Sequence, residues 1–444
     1  MLSGMRAELR RIWLDLKGSY WFIPSILSLL AAGLSALTIW LDLIGASWWF
    51  SGTGWLESSG VEGARSLLTV IASAMIAMAS TVFAITIAAV AYASGNYGPR
   101  LLTNFMNDRG NQVSLGVFIA TFVYALSVLR VVDSGDNDTG AGGADMFIPQ
   151  LSLFVASLMV IGAVGVLVYF LHHIPASIRI NTVVAGIGRN LLSDIEERFP
   201  DAFDGAEPVR RVGGTPVFPD TTGYVEIIEF ATLHRCAEKW DATVSLAVRT
   251  GDFVHPGVAL VEVSGAGVDE ELTKRVRDAF AIGASRTRAQ DLEYLIDELA
   301  EIALRALSPG INDPFTAVSA IHWLGAAMAS LGRRNLCRGP EQDKYDPERV
   351  RPVPDDFRHY LERAFGAIRA SAAGSPIASK MFLDALALAE GSAASPERRR
   401  MIAEQADLLA AQAETALSGP SLDDVHERLK RFHKQTAASP PPRE

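Results

Sequence analysis

The side chains best placed to do chemistry in this sequence are hydroxyls. Ser66, Ser73 and Ser80 stand seven residues apart, Ser94 lies two heptads further on, and Thr69 follows Ser66 by one helical turn. On a helix of about 3.6 residues per turn that spacing sets them along one side. Ala74, Ala77, Ala84, Ala88 and Ala91 share the segment, which carries no charge from Ser66 to Ser94. Hydroxyls among small residues let helices approach and hydrogen-bond inside a bilayer, so helix packing is the general explanation. The same groups can line a narrow wet pathway in an oligomer, standing in for ion hydration. No Asp, Glu, Lys or His sits mid-span, so neither an acidic ring nor a proton relay is available there.

A second group of candidates lies beyond that segment, at a cytoplasmic mouth: Tyr97, Pro99, Arg100, Asp108 and Arg109. A basic mouth favours anions or holds lipid phosphates. Ordinary enrichment of positive charge on the inner side of a membrane accounts for the same arginines. A third group is Ser308, Gly310, Asn312, Asp313 and Thr316, within the run from Ser308 to Ala317. Gly310 can close one helix in a left-handed conformation, Asp313 can cap the next, and Pro314 suits its first position. Alternatively, Asn312, Asp313 and Thr316 bind an ion or polar ligand at that helix N-terminus. Capping explains Gly, Asp and Pro together and leaves Asn312 unexplained.

Other chemistries lack support. Adjacent His172 and His173 cannot share a helix face, which is poor geometry for a metal. Cys236 and Cys337 form no CxxC and suggest neither a disulfide framework nor zinc. Ser308 lies in no GxSxG, and neither a Walker loop nor a dinucleotide fingerprint is present. The chain therefore reads as a non-enzyme that calls for no cofactor and no metal. A net charge of −10 argues against nucleic acid as a partner.

These residues need elements to position them. The uncharged run could reach about 43 Å as a helix, past the roughly 30 Å hydrocarbon core of a bilayer. Similar apolar runs cover Tyr20 to Leu41, Val113 to Val132 and about Phe147 to Leu171. Basic residues gather before the first run (Arg6, Arg10, Arg11, Lys17), between the second and third (Arg100, Arg109) and after the fourth (Arg179, Arg189). By the positive-inside rule this predicts four membrane spans, with both termini cytoplasmic. Residues 1–19 read as an amphipathic helix, 20–173 as a four-helix transmembrane domain and 174–207 as a helical connector. A small β module over 208–265 precedes a helical cytoplasmic domain over 266–435 and a disordered tail over 436–444. Helices are expected over Ile178–Phe199, Asp269–Ala281, Ala289–Leu307 and Phe315–Arg334, with a long loop over Arg338–Pro354. The β module resembles barrel-sandwich, lipoyl-like domains at Val248–Gly257 and Ala259–Val263. With no Lys between Trp240 and Lys274, a carrier role is unsupported.

Several of these stretches together resemble a known family. They are Tyr97-Gly98-Pro99-Arg100-Leu101-Leu102, Asp108-Arg109-Gly110, His172-His173-Ile174, Arg286-Thr287, Gln290-Asp291 and the Ser308–Ala317 run. The chain resembles the bacterial predicted membrane proteins grouped as domain of unknown function 2254, over nearly its whole length. That pattern more often has Ser-Gln-Phe-Ser ahead of the Pro-Arg of the turn, where Gly95-Asn96-Tyr97-Gly98 stands here. The resemblance implies membrane location and topology, and it brings no activity.

The sequence therefore points to an α-helical integral membrane protein with a cytoplasmic α+β region. Its expected function is that of an oligomeric ion channel or permeation protein, gated by the cytoplasmic region. The rival is a non-conducting membrane-anchored sensor or scaffold that binds a ligand or protein partner. Expected partners are membrane lipids, further copies of the chain, and an ion or small ligand.

Overall fold

The computed structural model describes residues 16, 19–45, 60–98, 108–132, 148–177, 179–205, 212–265, 269–337, 346 and 348–438. Most of the expected N-terminal amphipathic helix lies outside them, as do Pro99, Arg100, the Tyr97 side chain and the tail beyond Ala438. Two compact units form, one built on Asp15–Arg179 and the other on Ile180–Glu444.

Among the described residues, the first unit shows four helices: α1 (Phe22–Leu43), α2 (Val61–Tyr97), α3 (Arg109–Leu129) and α4 (Gln150–Ser177). Helix α3 is central and packs on the other three. Its Phe118, Tyr124, Ala125 and Val128 are fully buried, among Leu68, Met75 and Val82 of α2 and Leu153, Ala156 and Phe170 of α4. Gly116 lets α1 come close, because a Cβ there would sit 2.6 Å from Leu27 Cδ1 and 3.1 Å from the Pro24 Cα. Helix α2 runs 37 residues, about 55 Å at 1.5 Å per residue, well beyond a bilayer core.

The second unit begins with α5 (Ile180–Arg198), whose Val184, Ile187, Leu191 and Ile195 are buried. Strands β1 (Thr215–Val217) and β2 (Gly223–Ile228), helix α6 (Phe230–Lys239), and strands β3 (Ala242–Leu246), β4 (Phe253–Val254) and β5 (Val261–Gly265) follow. Then come α7 (Glu270–Arg277), β6 (Phe280–Gly283), α8 (Leu292–Ala306), α9 (Pro314–Gly332) and β7 (Val350–Arg351). The rest is helical: α10 (Phe357–Leu361), a π turn over Glu362–Gly366, α11 (Ala367–Ala373), α12 (Pro376–Gly391), α13 (Pro396–Ala416) and α14 (Pro420–Ala438). The first three residues of the expected tail are thus the end of α14.

The strands make two small sheets, ordered β1-β5-β3-β7 and β4-β2-β6. Among the described strands the β3–β7 pair alone is parallel, with Val244 opposite Val350. Both sheets draw on chain beyond residue 265. The helix expected to reach Ala281 stops at Arg277, after its buried stripe of Leu272 and Val276. Phe280–Gly283 instead pairs with β2, Phe280 opposite Ile228, and satisfies backbone groups on that edge. β7 lies in the expected long loop, where two residues complete the other sheet.

Among the described residues, five helices are long and apolar enough to cross a membrane: α1, residues 61–95 of α2, α3, α4 and α9. Four spans were expected. The fifth candidate, α9, packs within the second unit on α5, α8 and α12. Gly188 of α5 seats Trp323 of α9, and a Cβ at 188 would fall 2.1 Å from the indole.

Candidate functional site

The hydroxyl stripe of α2 faces away from the unit that α2 helps to build. Ser66, Thr69, Ser73 and Ser80 are exposed, with Ser94 half-buried. The helix buries Leu68, Ile71, Met75, Ala79 and Val82 on the other side. At 100° per residue the two stripes are about 160° apart. Three of these exposed hydroxyls donate to carbonyls of their own helix: Thr69 to Arg65 at 2.7 Å, Ser73 to Thr69 at 2.7 Å and Ser80 to Ile76 at 2.9 Å. The donors are spent locally and the oxygen lone pairs stay open. Among the described residues, packing therefore makes no use of Ser66, Ser73 or Ser80.

Two polar clusters hold the ends of the first unit, and neither was drawn from the sequence. At one end Asp108 caps α3, accepting from the amides of Gly110 at 2.7 Å and Asn111 at 3.3 Å. The same carboxylate meets His173 Nε2 of α4 at 2.8 Å, and Tyr169 stacks on that imidazole at 5.1 Å. Gly110 is required there, since a Cβ would lie 2.8 Å from His173 Nε2 and from the Tyr169 hydroxyl. Asp108 thus joins two helices, while Arg109 beside it is exposed. At the other end of α4, the carboxylate of Asp42 on α1 accepts from the amides of Leu151 and Ser152, both at 3.0 Å, and from the Ser152 hydroxyl at 2.8 Å. Tyr124 completes this cluster, 2.8 Å from the Thr38 hydroxyl and 3.2 Å from the Ser152 carbonyl.

The Ser308–Ala317 turn is built differently from the expectation in one respect. Asn312 is the left-handed residue (φ +48°), and Gly310 is not. Asn tolerates that region better than other side-chain-bearing residues, which accounts for the residue that capping had left over. Its amide donates to the Ser308 carbonyl at 2.9 Å, and the Asp313 amide reaches the Ala306 carbonyl at 2.8 Å. Asp313 caps α9 through the Thr316 amide at 3.1 Å and also accepts from the Thr316 hydroxyl at 2.6 Å.

Among the described residues of the second unit, a connected charge cluster gathers residues spread over the chain. Asp291 caps α8 through the Tyr294 amide at 3.1 Å and accepts from Arg286 Nε at 2.8 Å. Arg286 also reaches Asp297 at 2.5 Å, which Arg363 grips through two nitrogens at 2.7 and 2.8 Å. Arg363, aimed by the π turn, contacts Glu293 at 2.9 Å, and His359 meets Glu293 at 2.8 Å. Alongside, Asp355 accepts from Arg198 at 3.0 Å and from the Tyr360 hydroxyl at 2.7 Å, with Arg249 Nε 3.7 Å away. Gln290 ties the cluster to the sheet, its amide group exchanging hydrogen bonds with Ile228 at 2.9 and 3.2 Å. Gly251 (φ +92°) presses on the Asp291 carboxylate, with room for no Cβ.

These contacts shift acidities. Burial pushes the Asp291 carboxyl up to about 6, only partly offset by Arg286. Burial would raise Glu293 too, but His359 and Arg363 outweigh it and hold that carboxyl below its ordinary value. The hydrogen bond to Glu293 raises His359. The sequence offered one trace of this cluster, the Arg286-Thr287 and Gln290-Asp291 pairs. Among the described residues, no group of three or more His, Cys, Asp and Glu side chains is placed to hold a metal ion.

Long apolar helices packed on one another, with polar ties at the helix ends, define an α-helical membrane protein. The chain belongs to the family described as "Predicted membrane protein (DUF2254)", which matches residues 17–388. It is similar to the uncharacterized proteins Rv1290c of Mycobacterium tuberculosis and Mb1321c of Mycobacterium bovis. Each is 28% identical over 425 residues, covering 92% of this chain and 79% of the relative. No solved structure matches the chain.

Proposed function

We propose that this protein is one subunit of an oligomeric channel or permeation assembly in the bacterial inner membrane. Helices α1 to α4 cross the bilayer, and both termini are cytoplasmic. Helix α9 is an apolar core helix of the cytoplasmic region, which gates the assembly. The observation that carries this reading is the hydroxyl stripe of α2, turned away from its own bundle and lined by small residues. Lipid-facing positions gain nothing from open oxygen lone pairs, whereas a wet pathway between subunits does. Basic residues at the inner ends of the spans face lipid phosphates. No residue is proposed for catalysis.

The test is ion flux through the purified protein in liposomes, with several cations and anions, alongside its mass in detergent. Ser73→Leu and Ser80→Leu should abolish flux while assembly persists. A folded oligomer that passes nothing over a range of voltage, pH and divalent ions would sink the channel. The charge cluster of the second unit, dense enough to respond to a ligand or partner, would then favour a membrane-anchored sensor or scaffold.

A further inference from the structure

We propose that the charge cluster of the second unit is a proton-operated latch between the 249–252 turn and helices α8 and α10, closed in mild acid and loosened as the pH rises. It stands whether or not the first unit conducts. The geometry makes Asp291 the keystone. One carboxylate caps α8, pairs with Arg286 and lies under Gly251, while Thr250 Oγ1 donates to the Gln290 carbonyl at 2.8 Å. Pulling Asp291 out would therefore free the turn, the Arg286 loop and the start of α8 together.

Every charged group around it bears on the sign. Arg286 faces Asp291 from its own loop, Glu293 and Asp297 from α8, Arg363 from the π turn, and Arg198 from α5. His359 of α10 faces Glu293, with Arg249, Arg363 and the Tyr360 ring as its other neighbours. Asp355 is occupied by Arg198, Arg249 and Tyr360. The four arginines stay charged throughout. Glu293 is held below its ordinary value by His359 and Arg363, which favours its ionised form.

Asp291 and His359 respond to pH in the same direction. In the closed latch Asp291 binds its proton more tightly than a carboxylate in water, so opening releases a proton. Rising pH therefore favours opening, up to a plateau above about pH 6. His359 also holds its proton more tightly when closed on Glu293, so opening is favoured again above about pH 6.5. Arg286 offsets only part of the cost of burying the Asp291 carboxylate, so in the closed latch the ionised form is the strained one.

The experiment is hydrogen exchange of the full chain in lipid nanodiscs from pH 5 to 8, corrected for intrinsic exchange, with α12 as the internal reference. Peptides covering 249–252 and 286–298 should lose about tenfold protection between pH 5 and 7 relative to α12. Asp291→Asn keeps a good helix cap and should flatten that step. His359→Gln should retain the step and remove any further loss above it. Protection that is flat in the wild-type chain, rises with pH, or keeps its slope in Asp291→Asn would overturn the latch. If Asp291→Asn does not fold, the wild-type and His359→Gln profiles decide alone: the low-pH step must be present in both.

Discussion

Asp42, at the end of α1, binds both the amide and the hydroxyl of Ser152, at the start of α4, at 3.0 and 2.8 Å. An acid at the edge of an apolar helix would read as a flank in contact with water. Here it is buried, and it closes the first turn of a helix more than a hundred positions away. Asp42→Ala would leave the Leu151 and Ser152 amides without their acceptor, at roughly 1–3 kcal/mol for each buried group left unmade. Asp42→Asn keeps one acceptor oxygen and should lose about half as much. Thermal unfolding in detergent orders the three proteins, and equal midpoints would show that the carboxylate holds nothing.

Gly188 and Trp323 allow a sharper test of the second unit. A single methyl at 188 would overlap the indole, so Gly188→Ala must shift either the ring or α5. Overpacking of this kind costs about 1–3 kcal/mol. The expected result is a lower melting temperature together with a change in tryptophan emission. Gly186, with open space around it, is the control, and Gly186→Ala should change neither.

What the sequence disclosed, and what it hid, follows from the range of each interaction. Uncharged runs and basic flanks are local, so α1 to α4 fall within a few residues of their expected bounds. Helix α9 announces itself through Asp313, which caps it with its own side chain, whereas the caps of α8 by Asp291 and α13 by Ser395 came to light only in the structure. The strand at Phe280–Gly283 was hidden because it exists only to pair with β2. His173 and Asp108 lie 65 positions apart, and nothing local to either names the other. The charge cluster gathers Arg198, Arg249, Arg286 and Arg363 from four separate segments, and only tertiary structure brings them together. The α2 hydroxyls were visible as a set, while the side they face required the packing of α3.

The turn before α9 separates backbone geometry from ligand binding. Asn312→Gly should be nearly silent, because glycine accepts a left-handed φ freely. Asn312→Ala should cost about 1 kcal/mol. Asp313→Ala removes the cap and should cost about 0.5–2 kcal/mol. Gly310→Ala should be tolerated, with no atom within 4 Å of the added Cβ and no positive φ. If Asn312→Gly abolished flux or ligand response while the protein stayed folded, the side chain would be a ligand group after all.

Stability should also carry the signature of Asp291. Its folded-state pKa is raised, so the native chain binds more proton than the unfolded one between pH 3.8 and about 6. The contribution is largest below that window and is lost as pH rises through it. A shift of this size is worth roughly 3 kcal/mol as an order of magnitude. Glu293 acts with the opposite sign, its contribution falling away as pH drops below its ordinary value of 4.5. Subtracting the Asp291→Asn stability curve from the wild-type curve isolates the first term. The difference should decline from pH 4 to 6 and then level off; a difference that rises with pH would contradict the buried, proton-binding carboxyl.

Oligomerisation along α2 makes a prediction independent of conduction. If Ser73 and Ser80 face another copy of the chain, a cysteine at either position comes close to its equivalent, or to the same stripe on a neighbour. Cys236 is buried and Cys337 half-buried, so both are first replaced by Ala to leave a single reporter thiol. Ser73→Cys and Ser80→Cys should then yield disulfide-linked dimers under mild oxidation in the membrane. Met75→Cys, on the face packed within the chain, should yield none. A disulfide needs Cα atoms within about 7 Å, so the pattern reports direct apposition rather than loose crowding. Crosslinking at 73 and 80 that vanishes at Val70 and Ile76, exposed beside the stripe, would fix the subunit contact on the hydroxyl line. Equal crosslinking at all four positions would mean random collision in the bilayer, and the stripe would lose its claim to line anything.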